Sequence, residues 1–112
     1  MFDMAALPPQ LLEHVADRFR VLGDASRLRI IETLRTEGEL NVGELVERLQ
    51  MSQANVSKHL RLLAAAGIVV RRPQGTAAYY SVTDPSIAQL CDLVCDRLRS
   101  QNRDEAETFS MS

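Results

Sequence analysis

The run Ser52-Gln53-Ala54-Asn55-Val56-Ser57-Lys58-His59-Leu60-Arg61-Leu62-Leu63 is helical in its pattern and two-sided in its chemistry. At about 100° per residue, Val56, Leu60 and Leu63 form one narrow apolar stripe, while Ala54, Lys58 and Arg61 gather on the opposite side with Ser57 at its edge. Ser52 has the chemistry of a helix N-cap, and Gly67 that of the left-handed residue that closes a helix. Only Gln50-Met51-Ser52 separates this run from a preceding apolar series, Val42, Leu45, Val46 and Leu49, for which Asn41 and Glu44 form a capping-box pair. Two short helices joined by so brief a connection make a helix-turn-helix unit.

Downstream of Gly67 the pattern changes. Ile68-Val69-Val70-Arg71-Arg72 and Ala77-Ala78-Tyr79-Tyr80-Ser81-Val82 are strand-prone, and Pro73-Gln74-Gly75-Thr76 between them reads as a hairpin turn. Asp84-Pro85 starts a last helix, with Ile87, Leu90, Cys91, Val94 and Leu98 along its inner face. Upstream, Pro8-Pro9 opens a helix carrying Leu11, Leu12, Val15, Phe19 and Leu22. Asp24 caps a second helix, with Leu28, Ile31 and Leu34 on one side, and Gly38 ends it. The expected fold is mainly α with a β-hairpin wing, a winged helix-turn-helix of order ααααββα. Residues 1–100 are expected to form one domain for DNA binding and dimerisation, and 101–112, polar and charged, a flexible C-terminal tail.

The chain has 112 residues, one domain's worth, and an apolar fraction of 46% is enough to build its core without disulfide or metal staples. Its longest apolar run, Leu62 to Val70 broken by Gly67, falls far short of the roughly 20 residues that cross a bilayer. Met1-Phe2-Asp3-Met4 offers no basic segment of the kind that opens an export leader. A cytoplasmic location, no membrane partner, and reduced Cys91 and Cys95 are therefore expected. Five aromatics, Phe2, Phe19, Tyr79, Tyr80 and Phe109, are too few for a stacking platform on single-stranded nucleic acid.

A net charge of −2 hides a strong asymmetry. From Arg48 to Thr83 there are five basic residues, Arg48, Lys58, Arg61, Arg71 and Arg72, and no acid; the remainder holds eight basic groups and all fifteen acids. The positive charge coincides with the second helix of the motif and the wing, where duplex phosphates would meet it. A helix showing small, hydroxylated and basic side chains outward can enter a major groove about 12 Å wide. Gln53 and Asn55 have amides suited to base edges, with Ala54, Ser57, Lys58 and Arg61 beside them. Arg71, Arg72, Gln74 and Thr76 of the wing would reach phosphate or the minor groove. His59, next to the apolar stripe, reads as a hydrogen-bonded packing residue, and His14 as a surface one.

At 52–63, at Ala66-Gly67-Ile68-Val69, at Gln74-Gly75 and at Leu22-Gly23-Asp24-Ala25-Ser26-Arg27-Leu28-Arg29-Ile30, the chain resembles the ArsR-type winged-helix repressors of bacteria, over roughly residues 10 to 100. The resemblance implies a homodimer joined through its first and last helices, an inverted-repeat operator in double-stranded DNA, and release by an inducer. Leu11, Val15 and Phe19, with Leu90, Val94 and Leu98, offer the apolar surface such a dimer needs. Family members that sense arsenic or cadmium carry a Cys-Val-Cys-type motif in the third helix, where this chain has Asn41-Val42-Gly43-Glu44-Leu45. At the positions of the family's zinc ligands stand Asp84, Ser86, Arg97 and Ser100, of which only the aspartate is a donor.

Cys91 and Cys95 lie one helical turn apart on one face. Their spacing suits a clip for a thiophilic metal or metalloid ion, or an oxidant-sensitive pair, better than a disulfide within the helix. The alternative is that both are small hydrophobes of the core. No other cofactor is implied. The chain has no phosphate loop, no His-Glu-x-x-His zinc pair and no nucleophile elbow, so it is not expected to be an enzyme. Two further alternatives are a winged-helix module that docks another protein and an effector-independent DNA binder.

Overall fold

The computed structural model describes residues 7–110, with side chains described through residue 103. The readings of Met1-Phe2-Asp3-Met4 and of the last two residues lie outside the described residues. In chain order the elements are α1 (Pro9–Leu22), α2 (Ala25–Glu37), β1 (Leu40–Asn41), α3 (Val42–Leu49), α4 (Gln53–Ala65), β2 (Val70–Gln74), β3 (Ala77–Ser81) and α5 (Pro85–Ser110).

The helix starts follow the capping chemistry. Asp24 accepts the Arg27 backbone N–H at 3.0 Å. Asn41 and Glu44 form a reciprocal box, the Glu44 N–H donating to Asn41 Oδ1 at 2.8 Å and the Asn41 N–H to Glu44 Oε1 at 3.0 Å. Ser52 Oγ accepts the Asn55 N–H at 3.1 Å. Between α3 and α4, Gln50 takes a left-handed φ of 54°, which folds the helix-turn-helix connection. Gly67, at φ 75°, turns the chain out of α4 toward the wing.

The sheet has order β1-β3-β2, with both pairings antiparallel. Two details differ from the sequence reading. The wing turns on Gly75-Thr76 alone, because Gln74 pairs with Ala77 and Pro73 with Ala78; Pro73 is tolerated in β2 because that strand is a sheet edge. A third strand, β1, was not expected; Leu40 pairs with Tyr80 and Asn41 with Tyr79. Two residues are too short to leave a period-2 signature, and only pairing with β3 defines them.

Val56, Leu60 and Leu63 are fully buried, packed with Ile30, Ile31, Leu34, Leu45 and Ile68. Leu28, expected to face inward with Ile31 and Leu34, is 40% exposed, and Ile30 takes its place in the core. On α5, Ile87 is buried, Leu90 and Cys91 are half-buried, and Val94 and Leu98 are exposed, so the inner face leaves the core after its second turn. The backbone of α5 stays helical to Ser110, through most of the stretch expected to be a flexible tail. Neither glycine nor proline interrupts it after Pro85, and Gln, Arg, Glu and Ala are good helix formers.

Leu60→Ala is expected to cost about 2–5 kcal/mol of unfolding free energy, whereas Leu62→Ala, two residues on and roughly 200° round the same helix, costs under about 1 kcal/mol. Urea denaturation of the two variants checks this. Equal losses would mean that α4 is rotated from the orientation described.

Candidate nucleic-acid interface

Burial of one side of α4 fixes what the other side presents. Gln53, Ala54, Asn55, Lys58 and Arg61 are exposed and Ser57 is half-buried at the margin, as the helical spacing predicts. His59 is 8% exposed, its Nδ1 lying 3.3 Å from an Arg27 guanidinium nitrogen, and is a packing residue. Arg27 also donates to the Val21 carbonyl, tying the end of α1 to α2 and α4. The Asp24 carboxyl sits below its ordinary range, chiefly because it accepts the Arg27 backbone N–H. Arg18 of α1 donates to the Ala66 carbonyl at the end of α4 at 3.1 Å and to Asp84 at 3.3 Å.

The five basic residues of the acid-free span divide into two groups. Among the described residues, Lys58, Arg61 and Arg71 have no carboxylate within ion-pair distance. Arg48 is bonded to Glu37. Arg72 makes a two-pronged contact with Glu39, Nε to Oε2 at 2.8 Å and Nη2 to Oε1 at 2.7 Å, donates to Gln74 Oε1 at 3.0 Å, and lies 5.2 Å from the Tyr79 ring centroid. Arg72 holds the Glu39 carboxyl below its ordinary range, and Glu39 in turn raises Arg72. Sequence reasoning missed Glu37 and Glu39. They flank Gly38, ahead of the acid-free span: Glu37, the last residue of α2, meets Arg48 of α3, and the pairing of β1 with β3 brings Glu39 to the wing. Arg71, Gln74 and Thr76 are exposed on the hairpin.

The family's metal positions do not suit a metal here. Asn41 and Glu44 are bonded to each other in the α3 cap. Asp84 accepts the Ser86 backbone N–H at 2.9 Å and the Ser86 hydroxyl at 2.8 Å, which hold its carboxyl below the ordinary range. Arg97 and Ser100 add no anionic donor. The two thiols are elsewhere on α5, Cys91 half-buried and Cys95 exposed. Burial pushes the Cys91 thiol up, partly opposed by Arg35. No group of three His, Cys, Asp or Glu side chains placed to hold a metal occurs among the described residues.

A two-sided helix after a tight turn, followed by a hairpin with basic residues, defines a winged-helix DNA-binding regulator. A family model described as bacterial regulatory protein, arsR family, matches residues 24–70. An uncharacterized HTH-type transcriptional regulator of Methanocaldococcus jannaschii is 34% identical over 82 residues, which cover 73% of this chain and 92% of that protein. The arsenical resistance operon repressor of Bacillus subtilis is 31% identical over 78 residues, 70% of this chain and 74% of that protein. The solution structure of a homodimeric winged helix-turn-helix DNA-binding domain from Mycobacterium bovis is similar with a TM-score of 0.74 and 28% identity, over 88% of this chain and 91% of that one. The chain belongs to the arsR family of bacterial regulatory proteins, and is a DNA-binding transcriptional regulator rather than an enzyme. No helix among the described residues is long and apolar enough to cross a membrane.

Lys58→Ala should weaken binding to duplex DNA and reduce the slope of log affinity against log salt by about 0.9, one phosphate's worth of counterion release. A slope unchanged between wild type and variant would remove Lys58 from the interface. For the wing, the sign follows from the lowered Glu39 value. The Arg72 contact is complete above the ordinary glutamate range and is lost only as pH falls through the depressed value, so the Glu39 carboxylate signal in an NMR titration should turn at lower pH than free glutamate. In Arg72→Met it should return to the ordinary range.

Proposed function

We propose that the chain is a homodimeric repressor that places α4 of each protomer in successive major grooves of an inverted-repeat operator, and releases it when a thiol-directed inducer reaches Cys91 and Cys95. The observation that carries the DNA-reading part is the outward face of α4, where Gln53, Ala54, Asn55, Lys58 and Arg61 stand clear of the core and the two cations meet no carboxylate among the described residues. Gln53 and Asn55 are the candidates for base edges, Ser57 and Ala54 for close approach, and Lys58 and Arg61 for phosphate or guanine. On the wing, Arg71 and Thr76 contact the backbone directly, while Arg72 and Gln74 do so as a bonded pair.

Dimerisation is supported by apolar surface left uncovered on two helices. On α1, Leu11 is 42% exposed, Val15 38% and Phe19 55%; on α5, Val94 is 51% and Leu98 52%, with Leu90 half-buried beside them. So large an unburied face calls for a partner, and a second copy supplies the same face with two-fold symmetry. Induction is supported by the two thiols sharing a cavity bordered by α1, α2 and α5. A thiophilic metal or metalloid ion, or an oxidant, is the effector class that two thiols one turn apart would answer.

The test is a mobility-shift titration on DNA flanking the protein's own gene. Wild type should form one complex that competitor DNA of unrelated sequence does not displace. Hg(II) or diamide should abolish that complex, and Cys91→Ser with Cys95→Ser should bind equally well yet ignore both reagents. Release of the double variant by the same reagents would sink thiol induction. Val94→Glu should shift the protein to monomer in sedimentation and lower operator affinity at least about tenfold.

A further inference from the structure

We propose that Glu39 is a specificity-determining residue: by holding Arg72 in a neutral pair, it withholds one positive charge from duplex phosphates in general, while keeping the guanidinium where the operator contact needs it. This rests on the DNA-reading proposal above and names what sharpens its discrimination between operator and other DNA. Arg72 Nε and Nη2 donate to the two Glu39 oxygens at 2.8 and 2.7 Å, and Nη1 donates to Gln74 Oε1 at 3.0 Å. A guanidinium has five N–H donors, so one remains on each terminal nitrogen. The Arg72 side chain is 50% exposed, and thus stays open to a backbone oxygen of DNA.

The adjacent cation is treated differently. Arg71 precedes Arg72 on β2, yet among the described residues it meets no carboxylate. The sheet register places Arg72 opposite Tyr79 and Tyr79 opposite Asn41, and Glu39, two residues before Asn41, arrives beside Arg72. Folding gains little from the pair, because both partners are exposed. Its effect falls on DNA. A phosphate drawn to Arg72 is repelled by the carboxylate alongside, so the pair offers hydrogen bonds without net charge. Binding to unrelated duplex is almost wholly phosphate attraction and loses that charge in full. At the operator, base contacts from α4 fix the register, and a guanidinium already held by Glu39, Gln74 and Tyr79 gives up little freedom on meeting its phosphate. One carboxylate therefore weakens unrelated DNA more than it weakens the operator.

The experiment titrates full-length wild type, Glu39→Gln, Glu39→Asp, Arg72→Gln and the Glu39→Gln with Arg72→Gln double variant across a salt series. Two duplexes of equal length are used, one flanking the protein's own gene and one of unrelated sequence. Glu39→Gln should tighten binding to the unrelated duplex by up to about eightfold at roughly 0.1 M salt, and steepen log affinity against log salt by up to about 0.9, one phosphate's worth of counterion release. Operator affinity should rise by less, so the ratio of the two falls. Glu39→Asp, which keeps the charge, should keep the wild-type slope. In the Arg72→Gln background the Glu39 substitution should change neither slope nor ratio, which separates the pair from a general gain of positive charge. An unchanged slope in Glu39→Gln, or an equal rise on both duplexes, would overturn the role of Glu39 while the operator reading stands. Wild type binding both duplexes equally would instead remove the operator reading, and the specificity role with it.

Discussion

The burial of Val56, Leu60 and Leu63 is the constraint from which the rest follows. Three side chains on one stripe, all removed from water, prevent α4 from rotating about its axis without exposing several kcal/mol of apolar surface. Because the stripe is narrow, the opposite side is equally determined, and the residues a duplex would touch are selected by the residues it never meets. His59 belongs to this constraint too. Its ring is held by Arg27, whose backbone N–H also completes the Asp24 cap, so the start of α2 and the orientation of α4 are fixed by one arginine.

Charge adds a second layer that works against simple attraction. The span from Arg48 to Thr83 is free of acids, yet the fold returns two carboxylates to its flanks. Glu37 engages Arg48, and Glu39 engages Arg72. Both pairs are exposed, so their contribution to folding is small. Their larger effect is on position, since the two-pronged contact with Glu39 and the stacking on Tyr79 hold the Arg72 guanidinium in one place before any phosphate arrives. The cations left without carboxylates, Lys58, Arg61 and Arg71, run from α4 onto the wing.

The legible parts of the fold were those encoded by local chemistry. The caps at Asp24, Asn41 and Ser52, the left-handed Gly67 and the two-sided pattern of α4 all depend on residues within a few positions of one another. The features that were not legible depend on distant pairings. β1 is two residues long and exists because Tyr79 and Tyr80 lie opposite it. Glu39 is brought to Arg72 beside that same strand, and Glu37 reaches Arg48 of α3 from the end of α2. Leu28 faced outward because Ile30 and Ile31, adjacent in sequence, filled the core instead, and an apolar series alone does not say which member is excluded. The continuation of α5 was hidden by a polar composition, which can persist as helix when no breaker interrupts it.

Arg18 joins three parts of the molecule. Rooted on α1, it grips the last carbonyl region of α4 through Ala66 and the cap of α5 through Asp84. In a two-fold assembly built on α1 and α5, this guanidinium joins Arg27 and the shared core in setting the separation of the two reading heads. Operator half-sites recur about every 34 Å along a duplex, one helical turn, and a mismatch of a few ångströms forfeits the second contact. A change in how the subunits meet would then register at the DNA as a change of stride, with the contents of each reading head left untouched.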